Sequence, residues 1–384
     1  MSRVQTRPLR ESRELETALW LALLDGKALP RRTAKEVLYA WCVREQRRLV
    51  DLARMDADAI SAALALPLER AELIARALRD TTSAEATLAR LAEMHIEVVT
   101  RVDAPYPEEL AHHLPEAELP FLLFALGNLD LLAETGIAIG GARDAAEVED
   151  GDLAQLASSL ASLPLPTIGG FGRGVDRELL LRSAKAEGRI IAMLPLGLDH
   201  ARPIVALAQP ALDAGRALLV SPFMPDQPYT ENTGLARLAL ISALSAGLLL
   251  VEPDLLPSDW PGATDLIGRG GVATVLAATD SAAAQAWGAI GAHLVDRPVS
   301  AIQSLTAILA GITEAATPDA LPGVEPIYFE DAEQAIEVLG RSGRVPPSLA
   351  RRLRESSIFG YQDADDIDAD NDEDEAGPVR EEKS

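Results

Sequence analysis

The chain has 384 residues, 48% hydrophobic and 24% charged, with 59 acidic against 35 basic side chains and a formal net charge of −24. At ~100–200 residues per domain this content supports two or three domains around a large core and excludes disorder throughout. The longest apolar runs, such as AGLLLV at 246–251, fall short of the ~20 residues that cross a bilayer, and MSRVQTRPLRES carries no apolar leader, so a soluble cytoplasmic protein without a membrane partner is expected.

Residues 1–95 read as a helical domain. RESRELETALWLALLDG, TAKEVLYAWCVREQRRLVDLA and shorter apolar-periodic pieces near 57–64, 69–79 and 84–94 follow one another, with Trp20, Trp41 and Cys42 as core candidates. At residue 96 the pattern changes. IEVVTRV (96–102) is rich in β-branched residues, and PFLLFALGN (120–128) is a second apolar strand candidate closing in a Gly-Asn turn. Then short apolar runs alternate with helical stretches: GIAIGG (136–141), LPTIGG (165–170), RIIAMLPLG (189–197), ALLVSPF (217–223), GLLLVEP (247–253) and GVATVLA (271–277). Their continuous hydrophobicity predicts strands covered on both faces. The expected fold class is therefore α/β: a doubly wound, mostly parallel Rossmann-like sheet over 96–297, with the helical domain before it. Residues 298–361 read as a small, mainly helical region with one strand candidate, PIYFE (326–330).

The charge is unevenly spread. Residues 1–100 carry a net charge of +1, while 362–384 carry −9. Such a tail repels itself and has no apolar periodicity, so it is expected to be a disordered acidic extension that aids solubility or mimics nucleic acid. A body this acidic cannot coat a duplex through phosphate neutralisation. Any nucleic-acid site has to be a local pocket.

In an open parallel sheet ligands bind beyond the carboxyl ends of the strands. Two glycine-rich loops fall there. GGAR holds Gly140, Gly141 and Arg143; GGFGRGVD holds Gly169, Gly170, Phe171, Gly172, Arg173, Gly174 and Asp176. Glycine permits close backbone approach, and a following helix offers unpaired N–H groups, so the second loop is expected to cradle an anion with Arg143 and Arg173 as guanidinium donors. Asp176 could cap the helix or orient Arg173, and Phe171 could stack on a base. Neither loop is a dinucleotide fingerprint, and no GxxxxGK[ST] occurs. A lone cysteine, Cys42, and five histidines without ligand spacing leave neither a disulfide framework nor a zinc site. No cofactor and no metal are expected. Ser221 ends a strand without a GxSxG elbow and is expected to join the anion site rather than act as a nucleophile, and His112 and His113 read as an exposed turn. Glu252 fits either a ligand contact or a backbone one.

The ordered series PYPEEL (105–110), PFLLFALGN, GIAIGGAR, GGFGRGVD, AEGRIIAMLPLGLD (186–199), AGRALLVSPF (214–223) and ARLALISALSAGLLLVEP (236–253) resembles the DprA/Smf DNA-processing proteins over roughly 96–277. That resemblance implies a non-catalytic protein that binds single-stranded DNA at the second loop, forms a homodimer and loads a RecA-type recombinase during transformation or recombination. It further implies that Gly170, Arg173, Gly174 and Asp176 fill the family's loop positions. Arg143 matches the arginine after the first strand, and Arg237 the first arginine of an RNR motif. Gly188, Gly197 and Asp199 match its third-strand run. The chain is divergent: Gly169 and Gly172 stand for serine and alanine, Leu238 and Ala239 for the rest of RNR, Leu180 for a histidine, and Pro222 for a glutamate after Ser221. The competing reading is a nucleotide-sensing Rossmann-like protein, for instance in phage defence, holding a small nucleotide in the same pocket. Phosphoribohydrolase chemistry would need a PGGxGTxxE loop, to which WPGATDLIGRGG (260–271) is only a distant match.

Overall fold

The computed structural model describes residues 7–25 and 29–295. Its N-terminal layer contains α1 (Arg7–Leu24), α2 (Arg31–Leu38), α3 (Leu49–Ala53), α4 (Ala57–Leu64), α5 (Leu68–Arg79) and α6 (Thr82–Glu93). Ala18 through Leu24 are all buried, so the second half of α1 is enclosed by its neighbours. Trp20 is fully buried and meets Phe121 with ring centroids 6.3 Å apart, which joins this layer to the sheet's core.

The continuous helix expected over 33–53 is broken. The chain passes from α2 through a π-helical turn, Tyr39–Arg44, reaches positive φ at Gln46 and restarts at Leu49. The cause lies on α1. The Glu16 carboxylate accepts the N–H groups of Leu49 and Val50 at 2.5 and 3.1 Å, satisfying donors that a helix start leaves open. Trp41 Nε1 donates to Arg48 O at 2.9 Å and fixes the connecting turn.

The sheet has nine strands among the described residues: β1 (Ile96–Thr100), β2 (Leu122–Gly127), β3 (Gly136–Gly141), β4 (Thr167–Gly169), β5 (Ile190–Met193), β6 (Ala217–Ser221), β7 (Ser245–Val251), β8 (Val272–Leu276) and β9 (His293–Val295). Their order is β1-β2-β6-β5-β4-β3-β7-β8-β9. From β6 to β9 all neighbours are parallel, while β2 runs antiparallel to both β1 and β6. The winding reverses between β3 and β7, which makes their carboxyl ends the switch point.

The connecting helices are α7 (Glu108–His113), α8 (Asp150–Ala161), α9 (Val175–Lys185), α10 (Arg202–Asp213), α11 (Glu231–Ala243), α12 (Ala263–Gly268) and α13 (Ala282–Ala289). Alternate strand residues feed opposite cores. Ile137 and Ile139 join Leu156, Leu179 and Ala208 of α8, α9 and α10; Ala138 joins Ile241, Leu266 and Trp287 of α11, α12 and α13. Helices on both faces are the physical reason the strands read as unbroken apolar runs. Sequence reading missed β9, and the expectations for 298–361, PIYFE and the acidic tail concern residues outside those described.

Candidate nucleic-acid interface

Each parallel strand delivers its loop to the same edge of the sheet, so the loops after β3, β4 and β7 meet at the switch point. Backbone contacts clamp them. Ala142 N–H donates to Val251 O at 3.0 Å, Val175 N–H to Ala142 O at 3.0 Å, and Arg143 N–H to Asp254 Oδ2 at 2.5 Å. Gly174, at φ +90°, lies so close that a Cβ there would be 2.1 Å from Ala142 O and 2.6 Å from Arg143 O. Only glycine permits that approach.

The N–H groups of the second loop do converge, but on the chain's own carboxylate. Asp176, in the first turn of α9, accepts from Gly170 N–H at 3.1 Å to both oxygens and from Gly172 N–H at 2.8 Å. A Cβ on Gly169 would lie 2.3 Å from Asp176 Oδ1. Burial lifts the Asp176 carboxyl above its ordinary value, opposed by the Arg237 charge and by the N–H groups of Gly172, Gly170 and Phe171. Half-buried Arg237, from α11, donates through Nη1 to Gly170 O at 2.8 Å. The anion nest expected from the glycines is thus filled from within: converging N–H groups need a negative partner, and the nearest is two residues into the helix they precede. Asp176 does not serve as the side-chain N-cap of α9, whose N-cap is Gly174 without a side-chain bond.

Two further residues fall elsewhere than expected. Phe171 adopts φ +54° and is only 6% exposed, packed in the core cluster, so it has no face to offer a base. Ser221 is fully buried; its Oγ donates to Leu196 O at 2.8 Å and accepts from Phe223 N–H at 3.2 Å. That hydroxyl holds the turn after β6. Gly140 lies beneath Trp260, whose Cζ3 would stand 2.5 Å from a Cβ there, and Trp260 Nε1 donates to Ser242 Oγ at 3.0 Å. Gly141 faces Val251 O across the strand pair. Arg143 and Arg173, by contrast, are exposed, and the loops that carry them touch.

Sequence reasoning also passed over the bracing around the site. Asp199, after β5, pairs with Arg90 of α6. Asp254 holds the Arg143 amide and was signalled only by its place just after β7. Among the described residues no cluster of His, Cys, Asp and Glu is set to hold a metal ion, and no helix is long and apolar enough to cross a membrane.

Known proteins resemble this chain in sequence and fold. The family model for DNA recombination-mediator protein A matches residues 97–256. Protein Smf of Escherichia coli (strain K12) is 30% identical over 175 residues, 45% of this chain and 46% of that protein. DNA processing protein DprA of Streptococcus pneumoniae (strain ATCC BAA-255 / R6) is 25% identical over 151 residues, 39% of this chain and 52% of that one. The chain thus spans about half the length of the curated relatives it matches. The crystal structure of DprA from Streptococcus pneumoniae superposes with a TM-score of 0.50 at 19% identity, covering 76% of this chain and 96% of that one, a likeness of fold. Residues 97–256 are thus similar to the DprA/Smf family of DNA-processing proteins.

Proposed function

We propose that the protein is a non-catalytic single-stranded DNA-binding protein of the DprA type, engaging a short stretch of strand at the carboxyl edge of its sheet. One observation carries the reading: Arg143 and Arg173 stand exposed on two loops whose backbones are clamped together at the switch point. Guanidinium groups held on rigid loops suit phosphate oxygens. Because Asp176 already takes the loop's N–H groups, phosphate recognition falls to these side chains. The same fact weighs against the small-nucleotide reading, whose terminal phosphates would need the nest open. In the DprA role the protein forms a homodimer in the cytoplasm and passes its strand to a RecA-type recombinase; family likeness supports both steps, and co-elution with a recombinase tests the second.

Fluorescence anisotropy with a short mixed-sequence oligonucleotide tests binding itself. Two phosphate contacts at a slope of about −0.7 each predict roughly sevenfold weakening between ~50 and ~200 mM salt. No binding at the lower salt, with saturable uptake of a mononucleotide, overturns the proposal.

A further inference from the structure

With Phe171 buried, the face that a nucleobase would use lies elsewhere. We propose that Tyr229 is the stacking platform for a base of the bound strand, an inference that rests on the single-stranded DNA reading above. Tyr229 is 58% exposed, the highest value among the large apolar and aromatic side chains of the described residues. It sits directly before Thr230, the N-cap of α11, and therefore at the carboxyl edge of the sheet, where the β6–α11 connection turns back. The tip of its ring lies against Gly234: a Cβ there would be 3.1 Å from the hydroxyl oxygen, 3.3 Å from Cε2 and 3.5 Å from Cζ. Glycine at 234 gives the ring its seat. Gly234 and Arg237 are three residues apart on α11 and share one helix face. Arg237 in turn reaches Gly170 O, so the ring and the arginine-bearing loop lie within a turn or two of the same helix.

The platform is braced as well as exposed. Gly197 N–H donates to Gln227 O at 2.8 Å, Asp199 N–H to Pro225 O at 3.0 Å, and His200 Nε2 lies 2.9 Å from Asp226 O, so the turn after β5 pins the segment leading to Tyr229. The Arg90–Asp199 pair ties that turn to α6. On the other side Thr230 Oγ1 accepts Thr233 N–H at 3.1 Å and Thr233 Oγ1 accepts Thr230 N–H at 3.0 Å, closing a capping box. A rigid aromatic loses little freedom on stacking, and every base offers a π face, so the contact is indifferent to sequence.

Three proteins and two probes test this: wild type, Tyr229→Ala and Tyr229→Phe, each titrated with oligothymidylate and with an abasic strand of the same length. Tyr229→Ala is expected to bind oligothymidylate about 5- to 150-fold more weakly, the range for loss of one base–aromatic stack. Tyr229→Phe retains wild-type affinity, and all three proteins bind the abasic strand alike. Equal affinity of Tyr229→Ala and wild type for oligothymidylate overturns the stacking role while leaving the DNA reading intact. An equal loss on the abasic strand overturns it too, because the ring would then be acting on the backbone. Failure of wild type to bind either probe removes the DNA reading and this inference with it.

Discussion

Replacing Asp176 with alanine removes the acceptor on which the second glycine loop is built. Gly170 and Gly172 lose bonds of 3.1 and 2.8 Å, while Arg237 retains its bond to Gly170 O at 2.8 Å and loses the nearby negative charge. An orphaned buried donor costs about 1–3 kcal/mol, and the N–H groups of Gly170 and Gly172 both lose their acceptor here. Gly172 is half-buried, so water replaces part of the loss at that donor, and about 3 kcal/mol, toward the lower end of the sum, is the expected destabilisation. At about 2–4 °C per kcal/mol for a domain of roughly 150–250 residues, the melting midpoint drops by ~6–12 °C. Thermal unfolding by circular dichroism reads this directly. A second arm separates the electrostatic cause from simple loss of packing. The variant's emptied nest can take an external anion, so phosphate buffer raises its midpoint more than that of wild type, since whatever binds only the folded state stabilises it by mass action. Asp176→Ala melting within about 2 °C of wild type, with no phosphate effect, refutes the idea that this carboxylate holds the loop.

If Arg143 and Arg173 each hold one phosphate as proposed, Arg143→Ala and Arg173→Ala each lower the salt slope of oligonucleotide binding by about 0.7 and leave roughly 2.6-fold weakening between ~50 and ~200 mM salt; unchanged slopes would place the anion contacts elsewhere. His113, on α7, points Nδ1 at Ala243 O from 2.9 Å, with Glu109 and Arg269 beside it. Burial first, then the Arg269 charge, lowers its pKa from 6.5. Below 6.5 the unfolded chain takes a proton that the folded chain resists, so this group's stabilisation is lost as pH falls through that value toward the folded pKa. His113→Gln is expected to flatten the stability profile on the acid side of 6.5, and an identical profile would show that the histidine titrates alike in both states. Cys42 is 2% exposed, and burial followed by the Glu16 charge pushes its thiol up to about 12. It should resist iodoacetamide at neutral pH in the native protein and react on unfolding; native alkylation would refute its enclosure.

The strands were legible because their environment is uniform: Ile190, Ile191, Ala192 and Met193 of β5 are all buried, so the pattern has no polar half to interrupt it. The glycine loops were legible because positive φ at Gly174 and the approach to Ala142 O tolerate no side chain. What escaped depends on partners distant in sequence. The break before α3 is made by Glu16, 33 residues away, and nothing within 33–53 announces it. β9 has three residues and opens on His293, too short to show a period. Within the site, the loop composition foretold converging N–H groups but not their occupant. An aspartate two residues into a helix reads equally as a cap, an arginine partner or a ligand, and only the backbone path through Gly170, Phe171 and Gly172 selects among these. Phe171 and Tyr229 show the same limit. Each is an aromatic beside a helix start, and burial alone, 6% against 58%, decides which can meet a base.

Under the single-stranded DNA reading, the internal carboxylate changes what binding has to accomplish. A bare nest would gain its order from the ligand; here Asp176 keeps the loop folded beforehand, and the ligand gains only what exposed side chains supply. Those are few, and they act against a body of net charge −24. Repulsion from distant acids is screened beyond about 10 Å at 0.1 M salt, so the local balance of Arg143 and Arg173 against neighbours such as Asp254 governs attraction. In that reading, two phosphate contacts offset by nearby carboxylates give weak, shallowly salt-dependent binding. Useful affinity then requires a contribution that charge does not oppose, and stacking of a base on an exposed aromatic ring is of that kind.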